Sequence, residues 1–444
     1  MLLFTKAHGF VVFKLLLIVP PLCQAYWLMA ANNIITTQRL DPVASPGFVS
    51  THAHSVLGGS NFEMNTSTAA LRSSSCTSIP IPEDKSNYWF PHMYFQWSNG
   101  TFTSVSGNAV MYILTSHLTR SDQCLLIDYL FNNTPGYTTQ FPDDFRMLSG
   151  DPTLRTLDPS SFAQQAVTFI CLDFSGKSSK WNELPRGISC PSGILLTSCC
   201  QNFPSCWNGN DTDSPNHKSH VTWPNTGPDN GTCTDPNFPV TLPRIFMEAT
   251  GSLHHGISWI SRGFEDQRKD AMTPSQPFVT LNRHSLDPTG YGYHADFFNG
   301  WDEGVLQKAL DGCNCNPYGD ATCCVNQGIF GMNTTSTCYI TNTVDEQSDA
   351  GNARDSAGNN PIQAPCYQEY VDPVTPPILS PVYVYNGSAG APTGTVATPA
   401  QTADVAQTAD GRCIRKGGGR RAKELSLLWA LAAVGASGLC SFVF

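Results

Sequence analysis

Apolar residues along this chain fall in short runs rather than in long helical repeats. The runs alternate with clusters of Gly, Pro, Asn and Ser, a pattern typical of β-strands joined by turns and loops. The clearest of them span residues 109–115, 124–131, 166–174, 193–197, 239–249 and 277–281. Because the chain also has 32 prolines and 36 glycines, long helices are disfavoured. The pattern predicts a mainly β, sandwich or jelly-roll-like domain with long loops and few short helices.

One segment departs from this pattern and predicts a helix. In residues 302–310 the side chains of Val305, Leu306, Ala309 and Leu310 share one helical face. Two acidic residues open the segment and a glycine follows it, as expected for the start and the end of a helix.

Residues 1–25 predict a secretory signal peptide. Lys6 and Lys14 give a weakly positive start, and residues 10–20 form an apolar run that is too short to span a bilayer. The small residue Ala25 ends the segment, so we expect a main domain that begins at residue 26.

Residues 417–444 predict a glycosylphosphatidylinositol (GPI) attachment signal. Three glycines are followed by a short polar spacer and by an apolar tail that runs to the last residue. A single transmembrane helix is the alternative, with Arg420, Arg421 and Lys423 on the cytoplasmic side. That alternative would place the extreme C-terminus outside the cell, in conflict with a secreted body, so a membrane partnership through a lipid anchor is favoured.

The segments before the anchor signal differ in composition from the main domain, residues 26–312. Residues 313–370 carry six cysteines among Asn, Gly, Asp and Thr, which predicts a small Cys-rich appendix held together by bridges. Residues 371–416 are rich in Pro, Thr, Ala, Gly and Val and predict a mucin-like stalk, extended at about 3 Å per residue.

Cysteine usage indicates an oxidising compartment. Of 17 cysteines, 14 fall in the predicted mature body, an even set that predicts seven disulfides whose pairing sequence leaves open. A zinc cluster is the alternative for the close spacing of Cys313 with Cys315 and of Cys323 with Cys324. Secretion disfavours it.

Charge and glycosylation signals narrow the choice of partners. A formal net charge of −10 disfavours a nucleic-acid partner and is compatible with a neutral cell-wall polysaccharide. Seven sequons predict glycosylated surface positions, at Asn65, Asn99, Asn132, Asn210, Asn230, Asn333 and Asn386. Together with the two terminal signals, they predict an extracellular protein of the cell surface or wall, GPI-anchored to the plasma membrane.

The chemically richest stretch is residues 287–302, which combines aromatic side chains with His294 and Asp296. Apolar faces beside ionisable groups are typical of a pocket wall, since burying an unpaired charge in an ordinary core is costly. Asp296 and His294 are therefore candidate catalytic residues, with Asp296 as a general base.

Two pairs of histidines elsewhere have spacings suited to metal binding. His52 and His54 would share one face of a strand, and His217 and His220 would share one face of a helical turn. If these loops meet the stretch at 287–302, they offer ligands for a divalent Zn, Cu or Mn ion. The alternative is that they are ordinary surface or hydrogen-bonded histidines.

Carboxylate chemistry is a second hypothesis for the site. A glycoside hydrolase needs one protonated and one ionised carboxyl group flanking the sugar, and Asp84 is a third tentative catalytic candidate. Trp89, Tyr291 and Trp301 offer flat faces for stacking against a sugar substrate. The alternative for these aromatic residues is the filling of a sandwich core.

Several blocks, in order, resemble one known family. They are residues 39–47, 50–54, 58–62, 83–89, 145–150, 203–207, 214–220 and 287–302. These blocks are similar to those of a fungal secreted family described as a domain of unknown function, DUF1996, over about residues 26–313. The resemblance implies a fungal extracellular or wall-associated protein and transfers no catalytic assignment. The Cys-rich appendix, the stalk and the anchor signal lie outside it.

The sequence thus predicts a secreted, GPI-anchored wall or surface glycoprotein that binds or remodels wall polysaccharide through a His/Asp/aromatic pocket. A metal-dependent or carboxylate glycoside hydrolase is one alternative, and a non-catalytic structural or adhesion protein is another. The pocket depends on whether the loops near residues 52, 217 and 294 come together in the fold.

Overall fold

Short β-strands make up most of the regular structure. The structure, a computed structural model, describes residues 24–96, 102–104, 106–107, 125–132, 134–171, 179–184, 197–252, 279–282, 285–313, 319–346, 348, 366–367, 374–387 and 390–396. Four short helices lie in these ranges: α1 (Thr68–Arg72), α2 (Phe162–Gln165), α3 (Val305–Gly312) and α4 (Thr322–Asn326). The prediction of a mainly β protein with few short helices is confirmed.

The strands follow one another along the chain without long helices between them. They are β1 (Gln24–Ala30), β2 (Thr36–Gln38), β3 (His54–Gly58), β4 (Asn87–Pro91), β5 (Met93–Gln96), β6 (Phe102–Ser104), β7 (Ser106–Gly107), β8 (Leu125–Asn132), β9 (Arg146–Gly150), β10 (Val167–Cys171), β11 (Ser179–Trp181), β12 (Thr197–Asn202), β13 (Cys206–Trp207), β14 (Val221–Thr222), β15 (Val240–Thr241), β16 (Arg244–Ser252), β17 (Val279–Asn282), β18 (Ser285–Asp287), β19 (His294–Phe298), β20 (Cys338–Ile340), β21 (Tyr383–Asn386) and β22 (Gly394–Thr395). The pairs between them are antiparallel.

Two main sheets enclose the principal core. The large sheet has the order β1-β8-β16-β12-β10-β11, with β7 paired to β16, and the site sheet has the order β2-β3-β4-β19-β9. Alternate side chains from both sheets meet in one hydrophobic cluster, with Tyr129 and Met247 from the large sheet and Tyr88 and Phe297 from the site sheet. Smaller sheets, β14-β13-β15 and β18-β17-β5-β6, are also present.

The site sheet is buried on its second face as well. Val56, Trp89 and Phe298 project from that face into a second cluster, which they share with Ile340 and Val384. The last two residues belong to the appendix sheet, which has the order β20-β21-β22. A sheet covered on both faces needs apolar residues at consecutive positions, and this explains the fully buried pattern of β3, β4 and β19.

Backbone and side-chain bonds join the Cys-rich appendix to the start of the main domain. The Ile340 N–H donates to the Ile35 carbonyl at 3.0 Å, and a disulfide links Cys76 to Cys338. The Arg39 Nε lies 2.7 Å from Glu346 Oε2 in an ion pair in which the arginine is almost fully buried. The appendix is therefore held by burial and hydrogen bonds in addition to bridges.

The described part of the predicted stalk, residues 371–416, contains β21 and β22. Val382, Val384 and Val396 are buried in the second cluster, although the composition of this segment gave no packed-core signal. The alternation of valine with outward residues is a strand pattern, and it is what places these side chains in the core. The described residues fall in one compact unit, and residues 397–444 lie outside the described ranges.

Three disulfides join described cysteines: Cys76–Cys338, Cys206–Cys233 and Cys313–Cys324. Disulfides of this kind are typical of extracellular proteins. Among the described helices, none has the length and hydrophobicity needed to cross a membrane. Residues 1–23 of the predicted signal peptide and the predicted anchor signal, residues 417–444, lie outside the described residues.

Helix α3 begins later than the sequence predicts. Its first residue is Val305, and Leu306, Ala309 and Leu310 are buried against the principal core. Asp302 precedes the helix and forms an ion pair with Lys85 at 2.8 Å.

The Cys76–Cys338 bridge is predicted to carry much of the attachment of the appendix. It closes a loop of 262 residues, so breaking it with Cys76→Ser and Cys338→Ser should lower the free energy of unfolding by about 3–5 kcal/mol, because the unfolded chain regains loop entropy. Denaturant unfolding of the full-length secreted protein measures this. Replacement of the free Cys366 by serine is the control and should change stability by less than about 0.5 kcal/mol. Equal stability of the double variant and the control would contradict the prediction.

Candidate metal centre

The second face of the site sheet carries ionisable residues at one end. His54 of β3 pairs with Pro91 of β4, and Asp296 of β19 pairs with Trp89, two residues away along β4. Alternation along β19 places His294 on the same face as Asp296. These polar residues therefore share a sheet face with the second hydrophobic cluster.

Three imidazoles converge at this place. His52, which lies just before β3, His54 and His294 each offer a ring nitrogen, and these atoms lie within 4.8 Å of one another. The Nε2 atoms of His52 and His294 are 3.0 Å apart. The three side chains are 5%, 0% and 1% exposed, so this histidine cluster is closed off from solvent.

Backbone carbonyls fix the orientation of two of the rings. His54 donates its Nδ1–H to the Leu40 carbonyl at 2.9 Å, and His294 donates its Nδ1–H to the Gly292 carbonyl at 3.0 Å. Since a carbonyl only accepts, both rings are the tautomer whose Nε2 carries a lone pair. The His54 Nε2 has no hydrogen-bond partner among the described residues. This is the arrangement in which a histidine ligand is oriented by a second hydrogen bond.

Burial also keeps these rings neutral. Desolvation lowers the pKa of His54 to about 3 and that of His294 to about 4, and the neighbouring His54 contributes to the second shift. Neutral imidazole is the form that binds a metal ion.

The carboxyl group of Asp296 lies beside the histidine cluster. Both of its oxygens are buried without a hydrogen-bond partner among the described residues, and Oδ2 lies 4.0 Å from the Nε2 of His294. Burial raises the pKa of Asp296 well above its usual value; Asp41 raises it further and Lys218 lowers it. A carboxyl group held this way is costly unless a cation or a proton satisfies it.

Asp41 lies close enough to influence the cluster electrostatically. Its Oδ1 accepts the backbone N–H groups of Val43 and Ala44 at 3.1 and 2.9 Å. Burial raises its pKa, while these bonds and His294 lower it. Its role is to hold the turn that supplies the Leu40 carbonyl.

The residue of β9 that pairs with His294 must be a glycine. Gly150 of β9 pairs with His294 and has a φ of 93°. A Cβ there would lie 2.5 Å from the Tyr293 carbonyl and 2.9 Å from the His294 Cβ. The close approach of the two strands thus depends on the missing side chain.

A narrow cleft with room for about one water molecule adjoins this edge of the site sheet. Gly150 links the cleft to the histidine cluster through its pairing with His294. The lining residues include Gly150, Asp151, Leu154, Asn182 and Tyr291. Tyr291 is half-buried and donates its hydroxyl to Glu183.

The other two predicted metal residues have different surroundings. His220 uses both ring nitrogens, with Nδ1 3.0 Å from the Ser214 hydroxyl and Nε2 2.9 Å from the Arg146 carbonyl. The Nδ1 of His217 lies 2.8 Å from the Oδ1 of Asp213, within hydrogen-bond distance. Neither belongs to the histidine cluster, and the contacts of His220 favour the alternative of a hydrogen-bonded structural histidine.

Asp84 lies on the opposite side of the site sheet. Its Oδ2 accepts a 2.7 Å hydrogen bond from Tyr88, whose side chain enters the principal core, and its Oδ1 accepts from the Ser86 N–H at 3.0 Å. Burial raises its pKa to about 6, against the lowering effect of the bonds from Ser86 and Tyr88. Separated from Asp296 by the sheet, it does not form a carboxylate pair with that residue.

Two of the three predicted sugar platforms are core residues. Trp89 is fully buried in the second cluster, and Trp301 is 2% exposed and donates its Nε1–H to the Tyr129 hydroxyl at 3.0 Å. A ring without an exposed face cannot stack on a sugar that arrives from solvent, so their packing favours the core alternative. Tyr291 alone of the three lines the cleft.

The predicted glycosylation sites fall in three groups. Asn210, Asn230, Asn333 and Asn386 are exposed. Asn65 and Asn132 are half-buried, and Asn99 lies outside the described residues.

Sequence reasoning missed the groups that orient the cluster. The carbonyls of Leu40 and Gly292 are backbone atoms, which leave no residue-type signal. Gly150 does carry a weak signal in the sequence, since an isolated glycine inside a strand pattern often marks a close backbone approach.

Fold and site define a disulfide-linked, mainly β protein with a buried cluster of three histidines. The family model described as "Domain of unknown function (DUF1996)" matches residues 41–301, which include all three histidines and Asp296. The chain belongs to this family. No curated protein and no solved structure matches it.

The raised pKa of Asp84 predicts a pH-dependent stability. Its folded pKa of about 6 exceeds the reference value of 3.8, so the folded state holds a proton that the unfolded state has lost between those pH values. The stability that the wild type has relative to Asp84→Asn should therefore fall by about 2 kcal/mol from pH 4 to pH 7. Denaturant unfolding at both pH values measures this, with the exposed Asp345→Asn as the control. A difference that stays constant or grows with pH would contradict the buried structural role of Asp84.

Proposed function

We propose that this protein is an extracellular metalloprotein of the cell surface that binds or remodels wall polysaccharide. The observation that carries the metal part is the convergence of His52, His54 and His294 beside the unpartnered carboxylate of Asp296. Three neutral nitrogens and one carboxylate oxygen are a common ligand set for a divalent transition metal.

A hydrogen-bonded cluster without metal is the competing interpretation. The 3.0 Å contact between the Nε2 atoms of His52 and His294 is a good hydrogen bond when one of them is protonated. It leaves the His54 Nε2 and both Asp296 oxygens unsatisfied, however. A cation bound by the three ring nitrogens would satisfy the His54 Nε2 and would place positive charge near the Asp296 carboxyl group, which favours the metal.

The ligand chemistry limits the choice of ion. Imidazole suits Zn²⁺ and Cu²⁺, and a carboxylate also suits Mn²⁺, whereas Ca²⁺ and Mg²⁺ prefer sites made of oxygen atoms. The ion would supply positive charge in a site that is closed to solvent. That charge would hold the segments that carry the three histidines together or would polarise a bound water. The full burial of the histidines favours a closed centre over one that admits a sugar ring.

The polysaccharide part of the proposal has separate support. The chain is acidic, which disfavours polyanionic partners, and its bridges and sequons suit the outside of a cell. The cleft beside Gly150 contains the half-buried Tyr291, but its volume is too small to hold a sugar ring. A metal-dependent hydrolase is the alternative, and attachment by a lipid anchor remains part of the proposal.

Metal analysis of the full-length secreted protein tests the centre. The wild type should hold about one transition-metal ion per chain after dialysis, and His54→Ala or His294→Ala should retain less than about a tenth of it. His217→Ala is the matched control, because it removes a histidine that lies outside the cluster, and it should keep the wild-type content. A metal-free wild type that also takes up no Zn²⁺, Cu²⁺ or Mn²⁺ would sink the proposal.

The release of reducing ends from a polysaccharide tests the hydrolase alternative. Incubation of the metal-loaded protein with insoluble β-glucan and chitin, with and without chelator, should release no new reducing ends if the closed centre only supports binding. Reducing ends that appear with metal and vanish in both His54→Ala and Asp296→Asn would favour the hydrolase instead.

A further inference from the structure

The appendix sheet presents an aromatic face to solvent. Alternation along β21 and the residue before it buries Val382 and Val384, exposes Tyr383 and leaves Tyr385 half-buried on the same side as Tyr383. Tyr339 of β20 lies directly opposite Tyr385 and is also exposed. Tyr339 is 45% and Tyr383 40% exposed, which is high for rings of this size.

Threonines flank this group of tyrosines in the same sheet. The Thr341 N–H donates to the Tyr383 carbonyl at 3.0 Å, and Thr395 of β22 pairs with Tyr383 on the other side. Adjacent strands lie about 5 Å apart and alternate residues along a strand about 7 Å apart, so the three rings form one continuous patch. Tyr339, Tyr383 and Tyr385 are called the tyrosine face below.

Exposed large hydrophobic residues are frequent in the part of the chain that contains this face. Nine large hydrophobic side chains in the described residues are exposed, and five of them lie between positions 339 and 383: Tyr339, Val374, Ile378, Leu379 and Tyr383. No hydrogen bond is recorded for the three phenol hydroxyls within the described part of the chain. A grouped exposed patch of this kind marks an interaction site more often than scattered single residues do.

Charge decides which partner fits. The outward positions of the sheet are tyrosines and threonines, so the face offers no ion pair to a charged ligand. The surrounding protein has a net charge of −10 and repels nucleic acids and anionic lipid surfaces. A neutral chain of sugar rings complements it, since each ring has an apolar face to pack on a phenol ring and hydroxyls to pair with phenol and threonine oxygens.

We propose that the tyrosine face is a binding platform for a neutral polysaccharide chain. The proposal rests on the polysaccharide part of the proposed function and moves the contact away from the histidine cluster. The face lies outside residues 41–301, so binding would belong to the appended segment and metal binding to the family domain. This division explains how a protein whose histidines are buried can still hold a large sugar polymer.

Depletion assays with insoluble β-1,3-glucan and with chitin test the platform on the full-length secreted protein. The pair Tyr339→Ala and Tyr383→Ala should weaken binding to the preferred polymer by about tenfold or more, because two stacking surfaces are lost. The pair Tyr339→Phe and Tyr383→Phe keeps the rings and should stay within about threefold of the wild type. Tyr137→Ala removes a tyrosine that is 42% exposed elsewhere and is the matched control, expected to bind like the wild type.

Metal content and thermal midpoint, measured on the same samples, separate the outcomes. Loss of binding in the alanine pair, with metal content and midpoint unchanged, supports the platform. Wild-type binding by the alanine pair overturns the platform and leaves the proposed function standing. A wild type that binds neither polymer overturns the platform together with the polysaccharide part of the proposed function, whereas the metal centre is judged by metal content. A wild-type dimer that the alanine pair converts to a monomer in sedimentation, with polymer binding intact, assigns the face to a second copy and also overturns the platform.

Discussion

A carboxyl group buried without a hydrogen bond is the constraint on which the rest of the site sheet depends. Asp296 lies on β19, the fourth strand of a five-stranded sheet that is covered on both faces, and its oxygens have no partner among the described residues. Such a group costs several kcal/mol unless something positive or a proton reaches it. The nearby histidines cannot supply the charge as imidazolium ions, since burial lowers the pKa of His54 to about 3 and of His294 to about 4. A proton on Asp296, which its raised pKa favours, or the proposed metal ion would meet this need.

The two faces of the site sheet have different roles in the fold. One face, with Tyr88 and Phe297, packs against the large sheet and forms the principal core. The other face carries the histidine cluster and is covered in part by the appendix sheet. The appendix is joined to this face by the Cys76–Cys338 bridge and by the Arg39–Glu346 ion pair, so it closes the side on which the cluster lies.

The class of fold and part of the site follow from local sequence patterns. Short apolar runs and turn residues are enough to predict antiparallel sheets. The spacing of His52 with His54, and of His294 with Asp296, predicts that each pair shares a strand face. That the two pairs meet depends on the register of β3, β4 and β19, a long-range property that no local pattern contains.

Other assignments needed information that residue types do not carry. His220 and Trp301 have the chemistry of a ligand and of a sugar platform, yet their hydrogen bonds and burial make them structural. Asp84 shows the same limit, because only the side of the sheet on which it lies separates it from Asp296. The tyrosine face could not be predicted from composition, because Tyr383 and Tyr385 alternate with valines inside a segment rich in Pro, Thr and Gly.

X-ray absorption spectroscopy of the purified full-length protein at the edge of its bound metal tests the central claim most directly. The account predicts a first shell with three imidazole nitrogens at about 2.0–2.1 Å and one oxygen, and loss of the imidazole scattering in His294→Ala. A metal-free protein, or a metal whose first shell contains only oxygen or sulfur atoms, would contradict it.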